Sequence, residues 1–201
     1  MRRGILSRAL VAACALLMLV ATPQISAADE IRDAIYKIPR ANRQATPSGD
    51  DAVLLVSGII GPGAHRQFQA ALWRAEPKLV VLDGPGGVLG EAILIAEEVR
   101  RRGLSTLVTA NRSCASACAI VFLSGRTKYM GAGANVGLHS ASYADGRADP
   151  KATRMMAAYL SGLGVPDGTL RRMERTAPSD IRWLTAAEQK VIGVRPYDGT
   201  R

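Results

Sequence analysis

Short apolar runs rich in β-branched residues alternate along this chain with segments of helical periodicity, and glycine-rich turns separate them. The apolar runs predict buried strands at 53–60, 78–82, 106–109, 128–130 and 136–138. The periodic segments predict helices at 64–75, 88–102, 117–123, 151–163, 167–175 and 185–191. Strands and helices that alternate at this spacing favour right-handed βαβ units. The pattern therefore predicts an α/β domain with a mostly parallel sheet and a C-terminal helical region.

The first 28 residues have the order of a secretory signal peptide. Arg2, Arg3 and Arg8 precede an apolar run of about 13 residues, Ala9 to Ala21, and small residues follow at 26–28. A membrane span needs about 20 apolar residues, so we expect a cleaved signal, with an uncleaved N-terminal anchor as the alternative. The protein is expected to be exported, and to be periplasmic or secreted after cleavage.

The rest of the chain divides into a polar arm or linker at 29–51 and a single domain at 52–201. The formal net charge of +9 includes three arginines of the signal, and without them 23 basic and 17 acidic side chains leave +6. Only Arg100 to Arg102 form a basic run, and aromatic residues are few, so a nucleic-acid partner is not expected. Two His and three Cys are too few for most structural zinc sites, and we expect no metal or other cofactor.

Three short segments carry candidate chemistry. A glycine-rich turn at 82–88 can present backbone N–H groups to an oxyanion or phosphate, but lacks the signature of a P-loop or dinucleotide fold. Ser116 stands among small residues before a helix, where a nucleophile gains from the helix N-terminus. His139 ends a predicted strand. Taken singly, each has a structural explanation: a βα turn, a helix-capping serine and a structural histidine.

Taken together, in this order and spacing, the three segments resemble the proteolytic subunit of the Clp protease. More broadly they are similar to the Clp/crotonase fold, which includes signal peptide peptidase A. The resemblance covers about 53–194, with a slightly shortened loop near Arg126. The Cys-Ala-Ser-Ala-Cys segment behind a signal peptide looks like an exported branch of this family. The resemblance implies a ββα-superhelix of repeated βα units with a mostly parallel sheet and a C-terminal helical region.

The resemblance also implies roles for individual residues. Ser116 would attack the substrate carbonyl, and His139 would take its proton and later give it to the leaving group. Backbone N–H groups of the Pro-Gly-Gly turn and of the residue after the nucleophile would hold the oxyanion and substrate. These positions are Gly86, Gly87 and Ala117.

The third member of a catalytic triad is less clear in this sequence. The family's Asp lies just before a Leu-Ser/Thr-x-x-Glu helix start, which is 184–188 here. Asp180 is the nearest upstream acid, one residue out of register, and is predicted to orient His139. The alternatives are a Ser–His dyad or a carbonyl partner for His139. In addition, Asp83 precedes the Pro-Gly-Gly turn, where its charge would oppose catalysis unless it points away.

Two cysteines bracket the candidate nucleophile. Cys114 and Cys118 have the spacing of a helical pair, which suits the Cα separation of a disulfide. An extended approach to Ser116 would instead place them too far apart. A disulfide, which export to an oxidising compartment permits, and two buried thiols both remain open.

The leading hypothesis is an exported serine endopeptidase of the Clp-like class that acts on a peptide or protein substrate. One alternative is a non-catalytic module of the same fold that binds peptides or assembles with partners. Another is an esterase that uses the same Ser–His pair. Because relatives form rings or stacked tetramers, we expect a homo-oligomer, in which residues 155–160 form either a subunit contact or a core helix. The chain carries no ATPase motif.

Overall fold

The structure is a computed structural model that describes residues 52–198 of the 201-residue chain. The predicted signal peptide and the polar arm lie outside the described residues. The strands are β1 Val53–Ile60, β2 Leu79–Gly87, β3 Ser105–Val108, β4 Ser113–Ala115, β5 Lys128–Gly131, β6 Asn135–Leu138, β7 Arg182–Trp183 and β8 Val194–Tyr197. The helices are α1 Ala64–Ala75, α2 Leu89–Arg101, α3 Ala117–Leu123, α4 Pro150–Gly162, α5 Asp167–Arg175 and α6 Ala186–Ile192.

The strands form one curled sheet in the order β7-β6-β4-β2-β3-β5-β8, with β1 paired to β2. All pairs are parallel except β6 with β7. The long strand β2 joins the two parts of the sheet, because β3 pairs with its first residues and β4 pairs with it at Gly84. This architecture confirms the predicted α/β fold with a mostly parallel sheet.

Strand β2 is longer than its sequence indicates. The apolar run predicts an end at Leu82, followed by a turn, but this is wrong because the strand continues through the glycines to Gly87. Pairing with β1 extends the strand, since Ile60 is the partner of Gly87. Strands β4, β7 and β8 were missed because none of them is an apolar run: their sequences are Ser-Cys-Ala, Arg-Trp and Val-Arg-Pro-Tyr.

Helix α3 lies at the centre of the fold. All seven of its residues are buried, which agrees with an apolar helix that has no polar face. It packs against α2 and against strands β2, β3, β4 and β6. Ser116 immediately precedes this helix, so the candidate nucleophile is attached to the most enclosed element of the described chain. No helix within residues 52–198 has both the length and the hydrophobicity to cross a bilayer.

The C-terminal helices are tied together around the buried carboxylate of Glu188. It accepts hydrogen bonds from the hydroxyl of Thr169, from the backbone and side chain of Thr185 and from the guanidinium of Arg172. Burial opposes ionisation, but these donors outweigh it and lower the pKa of Glu188 to about 2. The Leu184 N–H donates to the Val136 carbonyl at 2.8 Å. This region therefore supports β6, the strand that leads to His139.

Candidate active site

Ser116 forms a sharp elbow between β4 and α3. Its backbone has φ 56° and ψ −126°, a positive φ that is uncommon for a residue other than glycine. Its N–H donates to the Gly137 carbonyl at 2.8 Å, which fixes the elbow against β6. Although Ser116 occupies the N-cap position of α3, its side chain makes no capping hydrogen bond. Helix capping through the hydroxyl therefore does not account for this serine, and strained backbone of this kind occurs at functional sites.

The glycine turn lies directly against this elbow. A Cβ atom added to Gly86 would come within 2.7 Å of the Ala115 oxygen, the Ala117 nitrogen and the Ser116 Cβ. Gly86 also has φ +103°, so both its conformation and its surroundings exclude a larger residue. The two predicted oxyanion donors, the backbones of Gly86 and Ala117, are thus neighbours. Ala117 is the first residue of α3, where the N–H has no intrahelical acceptor and the helix dipole is positive.

His139 follows β6 directly and is half-buried. Its Nδ1 atom lies 2.7 Å from the backbone carbonyl oxygen of Ser140. A carbonyl oxygen can only accept, so Nδ1 carries the proton in this contact. In the neutral ring, Nε2 then holds the lone pair, which is the form that a general base requires.

Ser116 and His139 line one cavity of about 540 Å³, together with Gly87 and Ala117. Most of the remaining wall is apolar and comes from the end of β1, the start of α2, the loop after His139 and helix α4. These wall residues include Ile59, Ile60, Val88, Leu89, Ala141, Ala144, Ala152 and Met156. The structure thus brings the predicted nucleophile, base and glycine turn to a single apolar cleft.

Asp180, the predicted orienter of His139, is not among the residues that line this cavity. Its side chain is exposed, and its Oδ1 accepts a hydrogen bond from the Ile181 N–H at 2.7 Å. The partner of His139 is instead the Ser140 carbonyl. The arrangement corresponds to the carbonyl alternative that the sequence left open.

Asp83 does not line the cavity either, although it precedes the Pro-Gly-Gly turn. Its Oδ2 lies 3.3 Å from the Arg112 guanidinium, in a pair that is open to solvent. The negative charge that could oppose an oxyanion is therefore balanced by a neighbouring arginine.

Cys114 and Cys118 form a disulfide across the elbow, with a Cα–Cα distance of 5.2 Å. Cys114 lies in β4 and Cys118 in α3, and both are buried. The sharp turn at Ser116 brings them together despite the extended strand that precedes it. Within residues 52–198, no group of three or more His, Cys, Asp or Glu residues is placed to hold a metal ion.

Sequence reasoning did not predict that the loop after His139 borders the cavity. Ser142 forms an isolated antiparallel β-bridge with Ala148. The Arg147 guanidinium lies over the Tyr143 ring, 5.5 Å from its centre. Tyr143 and Ser142 both line the cavity. The only sequence signal was the Asp-Gly pair at 145–146, which is typical of a tight turn. Met156, which sequence reasoning left as either core or subunit contact, lies in the cavity wall.

No known family model and no curated protein matches this sequence. Solved structures do match, and together with the sheet topology they define a ClpP/crotonase-like fold. ClpP1 from Listeria monocytogenes is 15% identical, with a TM-score of 0.55 over 74% of this chain and 94% of that one. A mutant of the 1510-N membrane-bound stomatin-specific protease is 18% identical, with a TM-score of 0.53 over 74% of this chain and 80% of that one. The ClpP protease catalytic domain from Plasmodium falciparum is 15% identical, with a TM-score of 0.54 over 71% of this chain and 84% of that one.

Proposed function

We propose that this protein is an exported serine endopeptidase of the Clp-like class, with Ser116 as nucleophile and His139 as general base. The observation that carries the proposal is that both side chains line one cleft, with Ser116 on a strained elbow at the start of a buried helix. The fold likeness to structures that are named as proteases supports it. The alternative of a non-catalytic binding module leaves the strained elbow without a role.

The proposed reaction is acyl transfer in two steps. The lone pair of His139 takes the Ser116 proton while the serine oxygen attacks the peptide carbonyl. The oxyanion accepts hydrogen bonds from the N–H groups of Gly86 and Ala117, and loss of one such donor typically costs about 10²–10³ in rate. His139 then protonates the leaving amine, and a water molecule repeats the sequence on the acyl-enzyme.

The cleft wall indicates what the substrate presents. Ile59 is 61% and Val88 42% exposed, although both are large apolar residues at the cavity. Their burial by a bound chain would be favourable, at about 25 cal/mol per Å² of apolar surface. We therefore expect an extended peptide with an apolar side chain next to the cleaved bond.

Export and assembly are part of the proposal. The Cys114–Cys118 disulfide supports a periplasmic or secreted location, because disulfides persist in oxidising compartments.

A homo-oligomer is proposed from the resemblance to the Clp protease, and Met155 on α4 is 60% exposed and available for a subunit contact. Light scattering on the purified protein measures the oligomeric state.

A fluorophosphonate probe tests the catalytic proposal. The wild type should be labelled at Ser116, Ser116→Ala should lose labelling, and His139→Gln should react far more slowly. Ser161→Ala is the matched control, because Ser161 is an exposed serine on α4 outside the cleft, and it should label like the wild type. Labelling that persists in Ser116→Ala would refute the proposal. Turnover of esters without turnover of peptides would replace the peptidase with an esterase.

A further inference from the structure

The partner of His139 is a peptide unit that other residues hold in place. We propose that the Ser140–Ala141 peptide orients the imidazole where a triad uses a carboxylate, and that Thr153 is the positioning residue that aims this peptide. The inference rests on the proposed function, because it concerns how His139 is prepared to act as a base.

The hydrogen bonds run head to tail through this peptide. His139 Nδ1 donates to the Ser140 carbonyl at 2.7 Å, and the N–H at the other end of the same peptide, that of Ala141, donates to Thr153 Oγ1 at 2.9 Å. The Thr153 hydroxyl in turn donates to the Asp149 carbonyl at 2.7 Å. Hydrogen bonds in such a chain polarise one another, so the Thr153 contact makes the Ser140 carbonyl a better acceptor for the imidazole.

Two helices fix the position of this peptide. The N–H and the hydroxyl of Ser140 both donate to the Thr176 carbonyl at the end of α5, at 3.0 and 2.7 Å. Thr153 lies in the first turns of α4, whose N-terminus is capped by the Asp149 side chain. Ser140 and Thr153 are each only 6% exposed. The carbonyl is therefore held by buried contacts on rigid elements, which is what precise orientation of a catalytic group requires.

The carboxylate that the sequence offered as the orienting group is engaged elsewhere. Asp180 is exposed to solvent and accepts the N–H of Ile181. A solvent-exposed carboxylate held by its own neighbour is poorly placed to fix an imidazole in the cleft. The geometry thus favours the carbonyl chain over a carboxylate as the orienting group.

Three variants of the full chain separate these possibilities. Thr153→Val keeps the shape but removes the hydroxyl, Thr153→Ser restores the hydroxyl, and Asp180→Asn removes the negative charge. Each is assayed for kcat and KM with a peptide substrate and for the rate of fluorophosphonate labelling. We expect Thr153→Val to lower kcat roughly 10- to 100-fold, the range that misplacing a catalytic group by about 1 Å costs, with KM unchanged. Thr153→Ser and Asp180→Asn should stay close to the wild type.

The His139 tautomer gives an independent readout. The chain has only two histidines, so ¹⁵N NMR of labelled histidine resolves both, and His65→Gln assigns the signals. We expect the neutral His139 ring to be protonated at Nδ1 in the wild type and in Asp180→Asn. Protonation at Nε2 in the wild type would overturn the inference.

The kinetic results can also overturn it. A loss in Asp180→Asn as large as that in His139→Gln would assign the orienting role to the carboxylate. Unchanged kcat in Thr153→Val, or a Thr153→Ser variant as slow as Thr153→Val, would remove Thr153 from the mechanism. If Thr153→Val does not fold, the Asp180→Asn variant and the His139 tautomer still decide whether the carbonyl or the carboxylate orients His139. A wild type that labels no better than Ser116→Ala refutes the proposed function and this inference together.

Discussion

Reduction of the Cys114–Cys118 disulfide should lower the free energy of unfolding by about 2 kcal/mol. The bond closes a loop of five residues that contains Ser116. In the chain-entropy description, a loop of this length restricts the unfolded chain by about 7 cal/mol/K, which is about 2 kcal/mol at 25 °C. The value is small because the loop is short.

Chemical denaturation of oxidised and reduced wild-type protein measures this difference. Cys114 is 0% and Cys118 2% exposed, so the reduced form is prepared by unfolding and refolding in reductant. A chain that begins at Asp29 has only these two cysteines, and Ellman's reagent should find no thiol before reduction and two after it. The control is the double variant Cys114→Ala/Cys118→Ala, and adding reductant should not change its stability.

The same reduction should slow the labelling of Ser116, because the bond ties together the two arms of its elbow. A difference of less than about 0.5 kcal/mol between the free energies of unfolding of the oxidised and reduced forms, the size of an ordinary surface effect, would refute the stability argument. Equal labelling rates in the two forms would show that β4 and α3 hold the elbow without the bond.

Three other perturbations test separate parts of the structure. Gly86→Ala should destabilise the protein by roughly 1–3 kcal/mol and nearly abolish labelling, whereas Gly90→Ala, whose Cβ meets open space, should do neither. Glu188 has a pKa of about 2, below its ordinary value of 4.5. Its ionised form should therefore contribute on the order of 3 kcal/mol to the free energy of unfolding. This contribution should be present above pH 4.5 and lost as the pH falls towards 2. Urea denaturation against pH should therefore show that Glu188→Gln is destabilised at pH 7 and converges on the wild type in acid; a constant difference would contradict this. Ala152→Trp should fill the cleft and lower kcat/KM for peptides, and unchanged turnover would place the substrate elsewhere.

The sequence predicted those elements whose pattern is local. The bounds of α1, α3 and α5 agree with prediction because each has its own apolar periodicity or a fully apolar composition. Strand β4 carries no such pattern, since Ser-Cys-Ala is neither β-branched nor alternating, and it forms through pairing with β2 and β6. Strand β8 contains Pro196, which a strand tolerates at the edge of a sheet.

For the candidate site, the sequence offered Ser116 and His139 as candidates, and the resemblance to the Clp protease implied their roles. Their meeting in one cleft depends on the parallel pairing of β4 with β6, which also bonds the Ser116 N–H to Gly137. No local signal distinguishes Asp180 from a backbone carbonyl as the partner of His139. That choice depends on the path of the loop between β6 and α4, which brings Thr153 to the Ala141 N–H.

The sequence by itself determined the order of the strands and helices that have a local pattern, the glycine turn, and the serine and the histidine of the candidate site. Only the tertiary structure decided the positive φ of Ser116, the closure of the disulfide around it and the carbonyl that faces the imidazole. The physical reason is the range of the interactions. Side-chain periodicity acts over a few residues and is visible in the sequence, whereas the elbow and the imidazole partner depend on contacts between segments that meet only when the sheet has formed.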